Sequence, residues 1–317
     1  MKKLIFCLLA LCISIFSLTS CSEKSVWKST NSFESGGKLR VTATTTMIQD
    51  LVHIIGGEEV EIYGIMADGI DPHSYTQRAS DVLAITSADL IFYNGIHLEA
   101  TLQEKLENLE NAHVVTSQLH QDELVQPEEE NSKYADPHVW GDPTLWAKTI
   151  PVVVDALSKK DPANKDKYSA RGAAYREELM ALNTWVKSRV EEIPTDQRYL
   201  VTSHDAFMYF SRAFNIEVRA IDGLAPGDKS GTKKVAELID FIKVKNIKMI
   251  FPESAANDKA IKAIAQDAAT TVSEHELFAD ACGKRGVMET SNGETYDVGT
   301  YIGMIKHNVN AVVEGLK

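Results

Sequence analysis

The chain is 317 residues long, which suits two domains of ordinary size, and 44% of its residues are apolar, enough to fill real cores. A formal net charge of −12 argues against nucleic-acid partners, which call for basic patches; it is compatible with cation capture or simply with a solvated acidic surface. With Cys7 and Cys12 in an N-terminal targeting segment and Cys21 at its end, only Cys282 remains, so an internal disulfide and a thiolate zinc site are both excluded.

Lys2 and Lys3 form a positive start, Leu4 to Phe16 a short apolar run, and Ser17, Thr19 and Ser20 lead to Cys21. The run is too short to span a bilayer. Residues 1–20 read as a signal peptide, and Leu18-Thr19-Ser20-Cys21 resembles a lipobox in which Cys21 is lipidated. An ordinary signal with a chance cysteine is the alternative. Residues 21–38, rich in Ser, Lys, Asn and Gly, then read as a lipid-anchored flexible tether facing the periplasm or the cell exterior.

From Leu39 strands and helices alternate. Leu39 to Thr45 reads as a strand, Met47 to Ile55 as a helix stopped by Gly56-Gly57, and Val60 to Met66 as a second strand. A helix over Ser80 to Ser87, a strand over Leu90 to Gly95, a helix over Glu99 to Leu109 and a short strand over Ala112 to Thr116 follow. An acidic loop, Gln121 to Tyr134, leads to one helix over Leu145 to Leu157. Asp166 to Glu192 is the longest helical pattern, with Tyr168, Tyr175, Leu179, Leu182, Val186 and Val190 on one stripe, and would run roughly 40 Å. It reads as a strut between lobes, or as a long helix inside one domain.

The alternation then restarts. Strands are expected over Tyr199 to Ser203, Glu217 to Ile221, Ile247 to Glu253 and Thr270 to Val272. Helices are expected over Asp205 to Phe214, Thr232 to Lys245 and Asp258 to Ala268. Leu277 to Gly293 reads as mostly loop, and a last helix runs from about Val298 to Gly315. This pattern implies an α/β fold of two lobes, each a mostly parallel sheet with flanking helices. We divide it as 39–165, a linking helix 166–193, and 194–317.

A repeated tripeptide organises the chemistry. Asp71-Pro-His73 and Asp136-Pro-His138 each hold an imidazole on a proline-stiffened bend, and neutral imidazole is the commonest metal ligand. His73 follows a strand, where sheets of this kind bind ligands, and His204 stands at the end of another. Asp297, just before the last helix, is the candidate fourth donor; an N-cap is its other reading. Three imidazoles and a carboxylate suit Zn²⁺ or Mn²⁺. Glu253, on the same expected rim, is placed to support a ligand or to be merely solvated. His53, His97, His113, His120, His275 and His307 lack such a context.

Together these segments resemble the cluster A-I (cluster 9) substrate-binding lipoproteins of zinc and manganese ABC transporters, also called TroA-like. The resemblance covers about residues 39 to 317. It rests on Asp71-Pro-His-Ser-Tyr75, Tyr93-Asn-Gly-Ile-His-Leu-Glu99, Asp136-Pro-His-Val-Trp140, Thr202-Ser-His-Asp-Ala-Phe207, Phe251-Pro-Glu253 and the Asp297 segment. It implies two α/β lobes joined by one long helix, with the cation in the cleft between them. The implied ligands are His73, His138, His204 and Asp297. The implied function is capture of Mn²⁺ or Zn²⁺ and delivery to a membrane permease with its cytoplasmic ATPase, by a monomer that is not an enzyme. The acidic loop before His138 contains no His, unlike the loop common in zinc-specific members. A surface adhesin on the same fold and a zinc hydrolase are the rival readings; no His-Glu-x-x-His motif supports the latter.

Overall fold

The computed structural model describes residues 33, 36–127, 134–227 and 231–317. The signal segment and Cys21 lie outside the described residues, as do most of the tether, the middle of the acidic loop and part of the loop after Asp222. Among the described residues no helix is long and apolar enough to cross a membrane.

The first half holds β1 (Leu39–Ala43), α1 (Thr46–Gly56), β2 (Val60–Gly64), α2 (Ala79–Ser87), β3 (Leu90–Tyr93), α3 (Ala100–Glu107) and β4 (Ala112–Val114). Its four strands pair in parallel in the order β2-β1-β3-β4, with Val41 against both Ile62 and Leu90. Parallel strands need crossovers, and α1, α2 and α3 supply them. Thr45 caps α1 by accepting from the Ile48 amide, and Gly57, at φ 59°, ends it as the paired glycines predict.

Next come α4 (Pro143–Trp146), α5 (Ile150–Lys160) and α6 (Lys165–Glu191). The single helix expected over Leu145 to Leu157 is instead two, with a tighter 3-10 turn at Ala147–Thr149 between them. Pro151 explains the restart: it lacks an N–H and is tolerated only in a first turn, which is where α5 places it. The 27-residue α6 buries the whole predicted stripe, from Tyr168 to Val190, against α1, α4, α5 and the last helix.

The second half holds β5 (Tyr199–Thr202), α7 (Met208–Phe214), β6 (Glu217–Ala220), α8 (Thr232–Val244), β7 (Met249–Ile250), α9 (Lys259–Ala268) and β8 (Thr271–Val272). The parallel pairs β5-β6 and β7-β8 are joined by a parallel bridge from Thr202 to Phe251. The chain closes with β9 (Met288–Ser291), β10 (Glu294–Asp297) and α10 (Tyr301–Leu316). The β9-β10 hairpin corrects the expected loop. Asn292 and Gly293, both at positive φ, form its two-residue turn, the dipeptide that such turns favour.

The molecule is thus the two-lobed α/β fold expected, with α6 running between the halves. One apolar core passes through both: Met47, Trp146, Tyr175, Val186, Tyr301 and Val309 belong to it. Smaller cores lie under α8 and α9, around Ile250 and Ile261, and on the far face of the first sheet, around Ile65 and Ile91. The carboxyl ends of the strands in both halves turn toward one seam, and the polar chemistry collects there.

Candidate metal centre

Each Asp-Pro-His segment closes on itself. The Asp71 carboxylate accepts from the His73 amide at 2.8 Å, and Asp136 accepts from the His138 amide at 2.8 Å. Such a turn, an Asp side chain bonding two residues on, mimics a backbone turn. It fixes the bend that proline alone only biases. The two copies then differ. Asp71 spends its second oxygen on the Ser74 hydroxyl, whereas Asp136 is buried and receives Nδ1 of His138 at 2.7 Å. That bond puts the ring proton on Nδ1 and leaves Nε2 free to face the cation.

His204 lies just past β5 and is treated alike by the other half. Glu253, past β7, accepts from the Ser203 amide at 2.8 Å, the His204 amide at 3.0 Å and His204 Nδ1. Of the two readings left open for Glu253, a supporting carboxylate or a solvated one, the chain places it buried and against the ring.

The fourth side chain at the centre is Asp280, not Asp297. Asp280 Oδ1 lies 3.3 Å from His138 Nε2 and 4.0 Å from His73 Nε2, and Oδ2 lies 3.3 Å from His204 Nε2. The Nε2 atoms of His73 and His138 are 3.2 Å apart. Donors set tetrahedrally about 2.05 Å from a zinc ion would be separated by about 3.3 Å. Among the described residues this is the only group of three or more His, Cys, Asp or Glu donors so close together.

These atoms are oriented for a cation rather than for one another. His204 Nε2 and both oxygens of Asp280 are buried without a hydrogen-bond partner. Buried polar atoms ordinarily find partners, so three orphans at one point mark a place for an ion. Two free carboxylate oxygens allow either one or two bonds from Asp280, hence four or five donors in all. His138, His204 and Asp280 are fully buried, and only His73 keeps some exposure, 10% of its side chain.

Charge is distributed unevenly. Burial, aided by the two neighbouring rings and opposed by Asp280, pushes His73 down to about 4. Burial acts against the charge on His138 too, but Asp136 and then Asp280 outweigh it and raise the ring to about 9. His204 is raised likewise, burial being overcome by Glu253 and Asp280. Asp280, despite its own burial, is held well below the usual carboxylate range by His204, His138 and His73.

Asp297 has other work. Its carboxylate accepts from the Gly286 amide at 3.0 Å and the Gly299 amide at 2.9 Å, tying the hairpin to the loop before it. The cap of α10 is Thr300, whose hydroxyl accepts from Gly303. Two functional groups escaped the sequence reading: Asp280 and the ring-orienting Asp136. Asp280 carries no turn or strand signature. The available signal was its setting, Leu277-Phe-Ala-Asp-Ala-Cys-Gly283, where a carboxylate among apolar residues must be buried and therefore paired.

The segment from Asp136 to Trp140 is also the seam between halves. Tyr209 of α7 donates to the Asp136 carbonyl at 2.7 Å, and Tyr301 of α10 donates to the Trp140 carbonyl at 2.7 Å. Buried Asp50 of α1 pairs with Arg285 and accepts from the Tyr301 amide at 2.9 Å, adding a third tie.

Residues 41–315 match the family described as zinc-uptake complex component A, periplasmic. The manganese-binding lipoprotein MntA of Bacillus subtilis is 33% identical over 315 residues, covering 97% of this chain and 98% of that one. The zinc-binding protein TroA of Treponema pallidum is 35% identical over 286 residues, covering 88% and 89%. The solved structure of that periplasmic zinc-binding protein superposes with a TM-score of 0.80 at 34% identity, over 88% of this chain and 99% of the other.

Proposed function

The chain belongs to the family of periplasmic component A proteins of zinc-uptake complexes, and from that premise we propose that it is an extracytoplasmic solute-binding lipoprotein of a metal ABC transporter. It captures Mn²⁺ or Zn²⁺ between its lobes and hands the ion to a membrane permease driven by a cytoplasmic ATPase. One observation carries this reading: the convergence of His73, His138, His204 and Asp280, with buried donor atoms that no protein group satisfies. Relatives named for manganese and for zinc support a site of this donor type. Four protein donors surround the cation position. A catalytic zinc keeps one position for water, so the arrangement favours holding the ion over doing chemistry on it.

The lobes are read as residues 39–165 and 194–317 with 166–193 between them, and lipid on Cys21 would hold the body at the membrane surface. Several relatives named as lipoproteins favour this placement. Native mass spectrometry with elemental analysis, on protein from unsupplemented cells, tests the function. One Zn²⁺ or Mn²⁺ per chain is expected, lost when His204 or Asp280 is replaced by Ala. Wild-type protein that takes up neither ion, even when both are offered in competition, would overturn the reading. Replacing Cys21 by Ala should release the protein from the membrane fraction.

A further inference from the structure

Neither side-chain oxygen of Asp280 has a hydrogen-bond partner, so its aim depends on how the backbone around it is held. Its own half fastens that backbone on one side. The Leu277 amide donates to the Pro252 carbonyl at 2.7 Å. Buried Asn308 of α10 meets Phe278 twice, accepting from its amide and donating to its carbonyl, each at 2.8 Å. The first half fastens it on the other side. The Trp140 indole N–H donates to the Ala279 carbonyl at 2.8 Å, and the Thr46 hydroxyl accepts from the Cys282 amide at 2.7 Å.

Trp140 links one half of the centre to the other through a single hydrogen bond. It stands two residues from His138, is 3% exposed, and lies edge-on to that imidazole with ring centroids 5.3 Å apart. Its indole holds the peptide carbonyl directly before Asp280, and its own carbonyl is held by Tyr301. We propose that Trp140 is a positioning residue: its indole N–H, by gripping Ala279, sets the separation of Asp280 from His138 and thereby the rate at which the cation leaves. This deepens the metal-receptor reading and rests on it. Separation of the lobes would break this bond or drag Asp280 away from His204, so that release and lobe separation share one contact.

The test removes the donor without removing the ring. Benzothienylalanine, with sulfur in place of the indole N–H, is installed at position 140, beside Trp140→Phe and beside 7-azatryptophan, which keeps the N–H. Zn²⁺ dissociation is followed by stopped flow into excess chelator, and melting temperatures are measured with and without Zn²⁺. Loss of one buried hydrogen bond should speed dissociation about tenfold and shrink the metal-induced rise in melting temperature. The 7-azatryptophan protein should behave as wild type. A residue that merely fills space would lower both melting temperatures equally and leave dissociation unchanged. Dissociation rates for benzothienylalanine and Phe indistinguishable from wild type would overturn the proposal while leaving the metal site intact. A wild-type protein that bound neither Zn²⁺ nor Mn²⁺ would overturn this proposal and the receptor reading together.

Discussion

Two aspartates seventeen positions apart in the second half invite opposite predictions. Replacing Asp280 by Asn keeps its volume but removes the one anionic donor, whose oxygens face His138 and His204 at 3.3 Å each. Outer groups that only orient a metal ligand are typically worth about 10–100-fold in affinity, so losing a direct donor should cost at least about 100-fold. Replacing Asp297 by Ala instead strips acceptors from the Gly286 and Gly299 amides, at 3.0 and 2.9 Å. Losing two hydrogen bonds at a partly exposed site, each worth about 0.5–1.5 kcal/mol, should cost about 1–3 kcal/mol, a fall of roughly 2–10 °C in melting temperature. Chelator competition for Zn²⁺ and thermal melting of the apo protein separate the two. Asp280→Asn should lose affinity, whereas Asp297→Ala should lose stability and bind as before. If Asp297→Ala lost affinity as deeply as Asp280→Asn, the assignment of the fourth donor would be wrong.

Metal binding should release protons. At pH 7 the His138 ring, raised to about 9, still carries a proton on the nitrogen the cation needs, and His204 is shifted in the same direction, while His73, at about 4, is already neutral. Affinity should therefore climb as pH rises from 6 toward 9, not only across the ordinary histidine range near 6.5, and displacing the His138 proton at pH 7 should cost about 3 kcal/mol. Calorimetry in buffers of different ionisation enthalpy should find at least about one proton released, and heats independent of buffer would refute this. Ala269 ends α9 at φ 55°, ψ 42°, a left-handed conformation that favours glycine; Ala269→Gly should raise stability by about 1 kcal/mol in thermal melts, whereas an unchanged or lowered value would count against strain there. Because the 27-residue α6 and one shared core run through both halves, apo and metal-loaded protein should give nearly superimposable X-ray scattering curves, and a marked contraction on loading would contradict that rigidity.

Local rules carried most of the architecture. Strand and helix alternation, the Gly56-Gly57 stop and the stripe on α6 are all set by side-chain periodicity and backbone sterics, which act over a few residues. The Asn292-Gly293 turn belongs to the same class, although the stretch from Leu277 to Gly293 reads locally as mostly loop. His73, His138 and His204 stood out because rigid bends and strand ends announce themselves locally. Asp280 did not, since its role arises from where a loop of the second half is carried by Asn308 of α10 and Trp140 of the first half. Asp297 had the better local signature, but its carboxylate was claimed by two amides that only the folded chain brings within reach. Propensity is written residue by residue, while which carboxylate meets three imidazoles depends on contacts spanning more than a hundred positions, and those exist only once both halves have packed.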